Sequence, residues 1–200
     1  MKKPKLYKKF NRDFLDFYDW ACEYLEKHNK KLTVKGGKYL RTGDGNCAGW
    51  CDGDEIVIAG KTRLFEETFV HEFCHMQQVI EGSPLWIDSE YDIWEVIKKK
   101  AVGIKDWDRF YESILVERDC ELRAIKMSKK WNLFNNELYA QKANVYLYYY
   151  QYLFISCNWV NSTTIYKRKL VSLMPKKILP ASRLKNIDME MMKNFDKYLT

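Results

Sequence analysis

The chain has 200 residues, a formal net charge of +7, and 46% hydrophobic against 30% charged residues. That supports one well-cored domain and excludes a disordered chain, a collagen or a disulfide-stapled miniprotein. The basic excess sits in Lys2, Lys3, Lys5, Lys8, Lys9, Lys98–Lys100 and Lys167–Lys169. No aromatic-basic recognition motif accompanies it, so it reads as a solvated surface and argues against a nucleic-acid partner.

Phe10, Phe14, Phe17, Ala21 and Tyr24–Leu25 recur at helical steps and predict a helix over about 8–29. Leu32–Val34 is a short strand closed by Gly36-Gly37. Cys47–Cys51 and Glu55–Ala59 are the arms of a hairpin, because Asp52-Gly53 supplies the turn between them. A helix over about 62–81 stops at Gly82-Ser83-Pro84. A short helix around 91–100 follows, and then a long one from a cap at Asp106 to about 130. Another helix covers about 137–157, and a tail broken by Pro175 and Pro180 ends in a helix near 188–199.

Residues 143–166 carry no charge, yet Asn144, Gln151, Asn158, Asn161 and many Tyr make this a buried helix rather than a membrane span. The basic N-terminus runs into Phe10-Asn11-Arg12-Asp13 with no apolar signal segment. Six cysteines in 200 residues form no disulfide framework. The expectation is a cytoplasmic protein with reduced thiols, without membrane attachment. No internal repeat or linker is visible, so the chain reads as one α+β domain over 1–200.

The chemistry concentrates in His71-Glu72-Phe73-Cys74-His75, an HExxH motif on a predicted helix. Residues four apart on a helix share a face, so both imidazoles can address one ion. Glu72 lies beside them, where it can act on a metal-activated water without being a ligand. A catalytic zinc takes three protein ligands. The third histidine, His28, is far upstream, and none follows His75, whose next residues are Met76-Gln77-Gln78. The third ligand is therefore a carboxylate or a thiolate. The best stretch for it is Glu117-Arg118-Asp119-Cys120-Glu121, where Glu117 and Glu121 share a helical face with Ile114 and Ala124. Two carboxylates on a buried face are costly unless paired or bound to metal. One would ligate zinc, and the other would hydrogen-bond a ligand histidine.

This arrangement resembles the gluzincin metallopeptidases, and most closely the minimal cytoplasmic ImmA/IrrE-like branch. The matching parts are Gly53-Asp-Glu55-Ile-Val-Ile58, the HExxH helix, and Glu117-Arg-Asp-Cys120-Glu121-Leu-Arg-Ala124. It is also similar to small HExxH proteins of phage genomes. The resemblance spans about 47–124 and leaves a helical C-terminal extension over about 137–200. It implies a zincin-like fold, a small sheet with a β-hairpin packed on the HExxH helix, and further long helices. It implies one zinc ion held by His71, His75 and Glu117, with Glu121 as alternative third ligand or as partner of a ligand histidine. The implied activity is hydrolysis of peptide bonds in a protein or peptide substrate, with Glu72 as general base. Cys74 departs from the Gly or Ala common before the second histidine, and Glu121 replaces Asn or Asp.

Alternatives of other classes are a zinc-binding regulatory protein without significant hydrolysis and a hydrolase of another amide bond. Cys47-x-x-x-Cys51 lacks a second pair and reads as structural. One hydroxyl of the cluster Tyr146, Tyr148, Tyr149, Tyr150 and Tyr152 could stabilise an oxyanion, and the spacing does not choose among them.

Overall fold

A computed structural model of the chain describes residues 4–6, 9–42, 45–88, 106–157 and 162–199. The expected helix around 91–100 lies outside these residues. The fold is mixed α and β, with helices dominating two small sheets. Two units separate by their internal contacts: 1–83 with 123–135, and 84–122 with 136–200.

The first unit opens with α1 (Arg12–Lys27), capped by Asn11, whose Oδ1 accepts a 2.8 Å hydrogen bond from the Phe14 amide. Phe14, Phe17, Ala21 and Leu25 put an apolar stripe along it, each fully buried. Strand β1 (Lys31–Lys35) pairs in parallel with β5 (Glu55–Ala59), and β5 pairs antiparallel with β4 (Gly49–Cys51). The hairpin turn is as expected. Gly53 takes φ +92°, and Asp52 Oδ1 accepts from the amides of Asp54 and Glu55 at 2.9 and 2.8 Å.

One feature of the sheet differs from expectation. The Cys47–Cys51 stretch is two strands: β3 (Gly45–Cys47) leaves to pair with β2 (Leu40–Thr42), and only β4 stays with β5. Ala48 is the break between them, and its carbonyl accepts from the Ala59 amide at 2.8 Å. β5 is the central strand, so its edges are both taken; its unbroken Ile56–Ala59 burial is what a central strand requires.

Helix α2 (Phe65–Ile80) carries the motif. Phe65, Phe69 and Phe73 stack along one side against Phe14 and Phe17 of α1, mostly edge to face at about 6 Å. Its end is the expected glycine stop. Gly82 takes φ +62°, and the Ser83 amide returns to the Gln78 carbonyl at 2.9 Å.

In the second unit a short helix α3 (Pro84–Asp88) precedes α4 (Trp107–Trp131), whose last nine residues belong to the first unit. Then come α5 (Asn136–Ser156), α6 (Ser162–Ile165), α7 (Arg168–Leu173), α8 (Ala181–Leu184) and α9 (Met189–Leu199). α5 carries the first part of the uncharged, Tyr-rich run that begins at Ala143, and no described helix is long and apolar enough to cross a membrane. Its core packs Val145, Leu147, Tyr149, Leu170, Leu184 and Phe195 together. Two fully buried amides on α5 secure the irregular tail. Asn144 donates to the carbonyls of Pro175 and Lys177 and accepts from the Leu179 amide. Gln151 donates to Leu184 and Asn186 and accepts from the Asp188 amide.

Candidate metal centre

Three stripes divide the surface of α2. Phe65, Phe69, Phe73 and Met76 form the core stripe, all nearly inaccessible to solvent. Thr68 and Glu72 approach β4. His71, His75 and Gln78 stand at i, i+4 and i+7, on a stripe of their own beside it. The helix therefore spends one face on packing and keeps its titratable groups on another.

His71 and His75 are brought together as the spacing predicts. Their rings stand at 87° to each other with centroids 4.6 Å apart. The two Nε2 atoms face each other at 3.1 Å. Two nitrogens on one tetrahedral zinc, each about 2.0–2.1 Å from it, would be about 3.3 Å apart. The pair thus fits a single ion with little adjustment, and both residues belong to the described side chains able to hold a metal. His75 is buried and its Nδ1 lies 2.8 Å from Gln78 Oε1. The amide oxygen can only accept, so this contact is a hydrogen bond when Nδ1 carries the proton.

Glu72 is buried at 8% exposure, beneath β4. Gly49 makes this approach possible. A Cβ there would stand 2.7 Å from Ile58 Cδ1, 2.8 Å from Thr68 Cγ2 and 3.1 Å from Glu72 Cγ. The carboxylate also marks its neighbours electrostatically. Burial first, and then the Glu72 charge, push the Cys47 thiol up to about 11 and the Cys51 thiol up to about 12. Both cysteines are free and protonated at neutral pH, which suits the structural role expected of them rather than metal ligation.

In the second unit, Glu117, Cys120 and Glu121 lie within about one turn of α4. Cys120 is fully buried, Glu121 nearly so and Glu117 half-buried. Tyr150 of α5 donates a 2.7 Å hydrogen bond to Glu117 Oε1. Burial first, then the Glu117 charge, hold that phenol protonated well above its ordinary range. Neighbouring Arg118 donates to the Leu179 carbonyl at 2.6 Å. Tyr150 is thereby committed to a carboxylate, and Tyr148 points to Asp188 at 3.5 Å.

His28 takes no part; it caps α1 and packs on Tyr24 with ring centroids 4.6 Å apart. Gln78 and Gly49 are the site residues that motif reading misses. For Gln78 the available signal was a polar residue three positions after His75 on a stripe with both histidines. For Gly49 there was none beyond a glycine in a strand. No family model, no curated protein and no solved structure matches the chain.

Proposed function

We propose that the chain is a zinc-dependent peptidase. One observation carries the reading: two imidazole Nε2 atoms face each other at 3.1 Å, with a buried carboxylate on the adjacent residue. His71 and His75 would hold the ion together with a donor from α4. Glu117 is that donor by the sequence pattern, with Glu121 as its alternative. When bound, zinc supplies Lewis-acid polarisation of a carbonyl and lowers the pKa of a coordinated water.

The chain's own residues do the remaining work. Glu72 takes the proton of the attacking water and returns it to the leaving amine. Gly49 lets β4 lie against Glu72, which holds the carboxylate in a dry wall. β4 closes the three-stranded sheet on that side, and no described strand pairs with its outer edge. An extended peptide could add there by main-chain hydrogen bonds, which supports a peptide or unfolded protein segment as the substrate class.

The test is elemental analysis of untagged protein, followed by a peptide-cleavage screen. About one zinc per chain is expected, lost in His71→Ala and retained in Glu72→Gln, with cleavage absent in both. Glu117→Gln, Cys120→Ser and Glu121→Gln then identify the third donor by which of them loses the ion. Zinc without cleavage of any peptide would leave a metal-binding protein and refute the peptidase; no zinc after add-back would refute the centre.

A further inference from the structure

Gln78 is a costly residue where it stands. It is fully inaccessible to solvent on the helix that carries the motif. Burying an amide is unfavourable unless its groups are hydrogen-bonded, and an apolar side chain of that size would fit a helix interior better. Its Oε1 lies 2.8 Å from His75 Nδ1, while Nε2 of the same ring faces His71. A neutral imidazole has one N–H and one bare nitrogen, and the partner of one nitrogen decides the state of the other. We infer that Gln78 is a positioning residue: its amide oxygen holds the His75 proton on Nδ1 and so presets Nε2 as the bare nitrogen that a metal would take. The inference rests on the reading of His71 and His75 as ligands.

The choice of an amide has its own consequence. A carboxylate in this place would raise the basicity of the ligand as well as orient it. Gln78 orients the ring without adding a second charge beside Glu72. A bound ion would thereby keep more of its Lewis acidity.

The tautomer can be read without metal, from long-range proton–nitrogen correlations of the imidazoles in metal-free protein at about pH 8, where an ordinary histidine is neutral. The expected result is a proton on Nδ1 of His75. Gln78→Met, which keeps the volume and removes the acceptor, should move that proton to Nε2 or mix the two forms. It should also weaken zinc binding about 10–100-fold in competition with a chromogenic chelator. Gln78→Glu should restore the Nδ1 proton and bind zinc at least as tightly as wild type. An Nε2 proton on His75 in the wild type would overturn the inference, as would a Gln78→Met protein unchanged in tautomer and affinity. If Gln78→Met does not fold, the wild-type tautomer and the Gln78→Glu protein decide. A wild type that keeps the Nδ1 proton but takes up no zinc would refute the metal reading alone and leave the tautomer assignment standing.

Discussion

The two units bury polar side chains for different ends. In the first, aromatic packing of α1 on α2 supplies the core, and the buried or half-buried polar groups His71, Glu72, His75 and Gln78 gather on the remaining faces of one helix. Among them, His75 meets Gln78 Oε1 at 2.8 Å through Nδ1 and His71 Nε2 at 3.1 Å through Nε2. In the second, Asn144 and Gln151 are equally buried, yet their side chains bond main chain of the segment 175–188. A buried polar group is tolerated only if its partners are present. Where those partners are other side chains with lone pairs to share, the cluster is poised for chemistry; where they are backbone, it is scaffolding.

That contrast can be broken most sharply at Glu72. Glu72→Gln is nearly isosteric, so it should reduce peptide hydrolysis about 10²–10⁴-fold, the range for a general base, while the melting temperature and zinc content hold. A comparable loss of stability would make Glu72 scaffolding as well. Asn144→Leu should behave in the opposite way. It leaves two carbonyls and an amide without their bonds, and urea unfolding should show a loss of about 2–4 kcal/mol, with the HExxH unit's zinc uptake retained.

Gly49→Ala sits between the two. The new methyl would press Ile58, Thr68 and Glu72 at 2.7, 2.8 and 3.1 Å. An overpacking cost of about 1–3 kcal/mol is expected in chemical denaturation, with a fall in kcat that exceeds any change in zinc affinity. The smallest effect concerns the thiols. Cys47 and Cys51 should resist iodoacetamide at pH 8 and become reactive as the pH rises toward 11 and 12. Because their folded pKa values lie above the ordinary 9.0, the stability they contribute is complete below about pH 9 and declines as pH climbs through those values. Removing the neighbouring charge in Glu72→Gln should speed their alkylation a few-fold; an unchanged rate would mean that Glu72 is uncharged beside them.

Much of this was legible in residue order. Helix ends at Gly82 and near Asp106, and the Asp52-Gly53 turn, follow from local chemistry that needs no tertiary context. The motif pair His71 and His75 is equally local, since four residues on a helix fix their proximity. What escaped reading is long-range. Leu40–Thr42 is three residues long, and its strand exists because Gly45–Cys47 turns back to pair with it. That pairing also takes Cys47 away from β4, which periodicity alone does not reveal. β5 as the centre of its sheet depends on a parallel partner twenty-four residues earlier in the register, from Lys31 to Glu55. The carboxylate-bearing turn of α4 was visible as a pattern, but the claim of Tyr150 on Glu117 joins residues thirty-three apart and was not.

The clamps on α5 have one more consequence. Asn144 and Gln151 stand seven residues, about two helical turns, apart, and grip main-chain atoms at 175, 177 and 179 and again at 184, 186 and 188. They read spacing and ignore side-chain identity. The intervening tail should therefore accept wide variation in its residues while rejecting insertion or deletion of even one between the two grips, like a belt whose holes are fixed and whose leather is free to change.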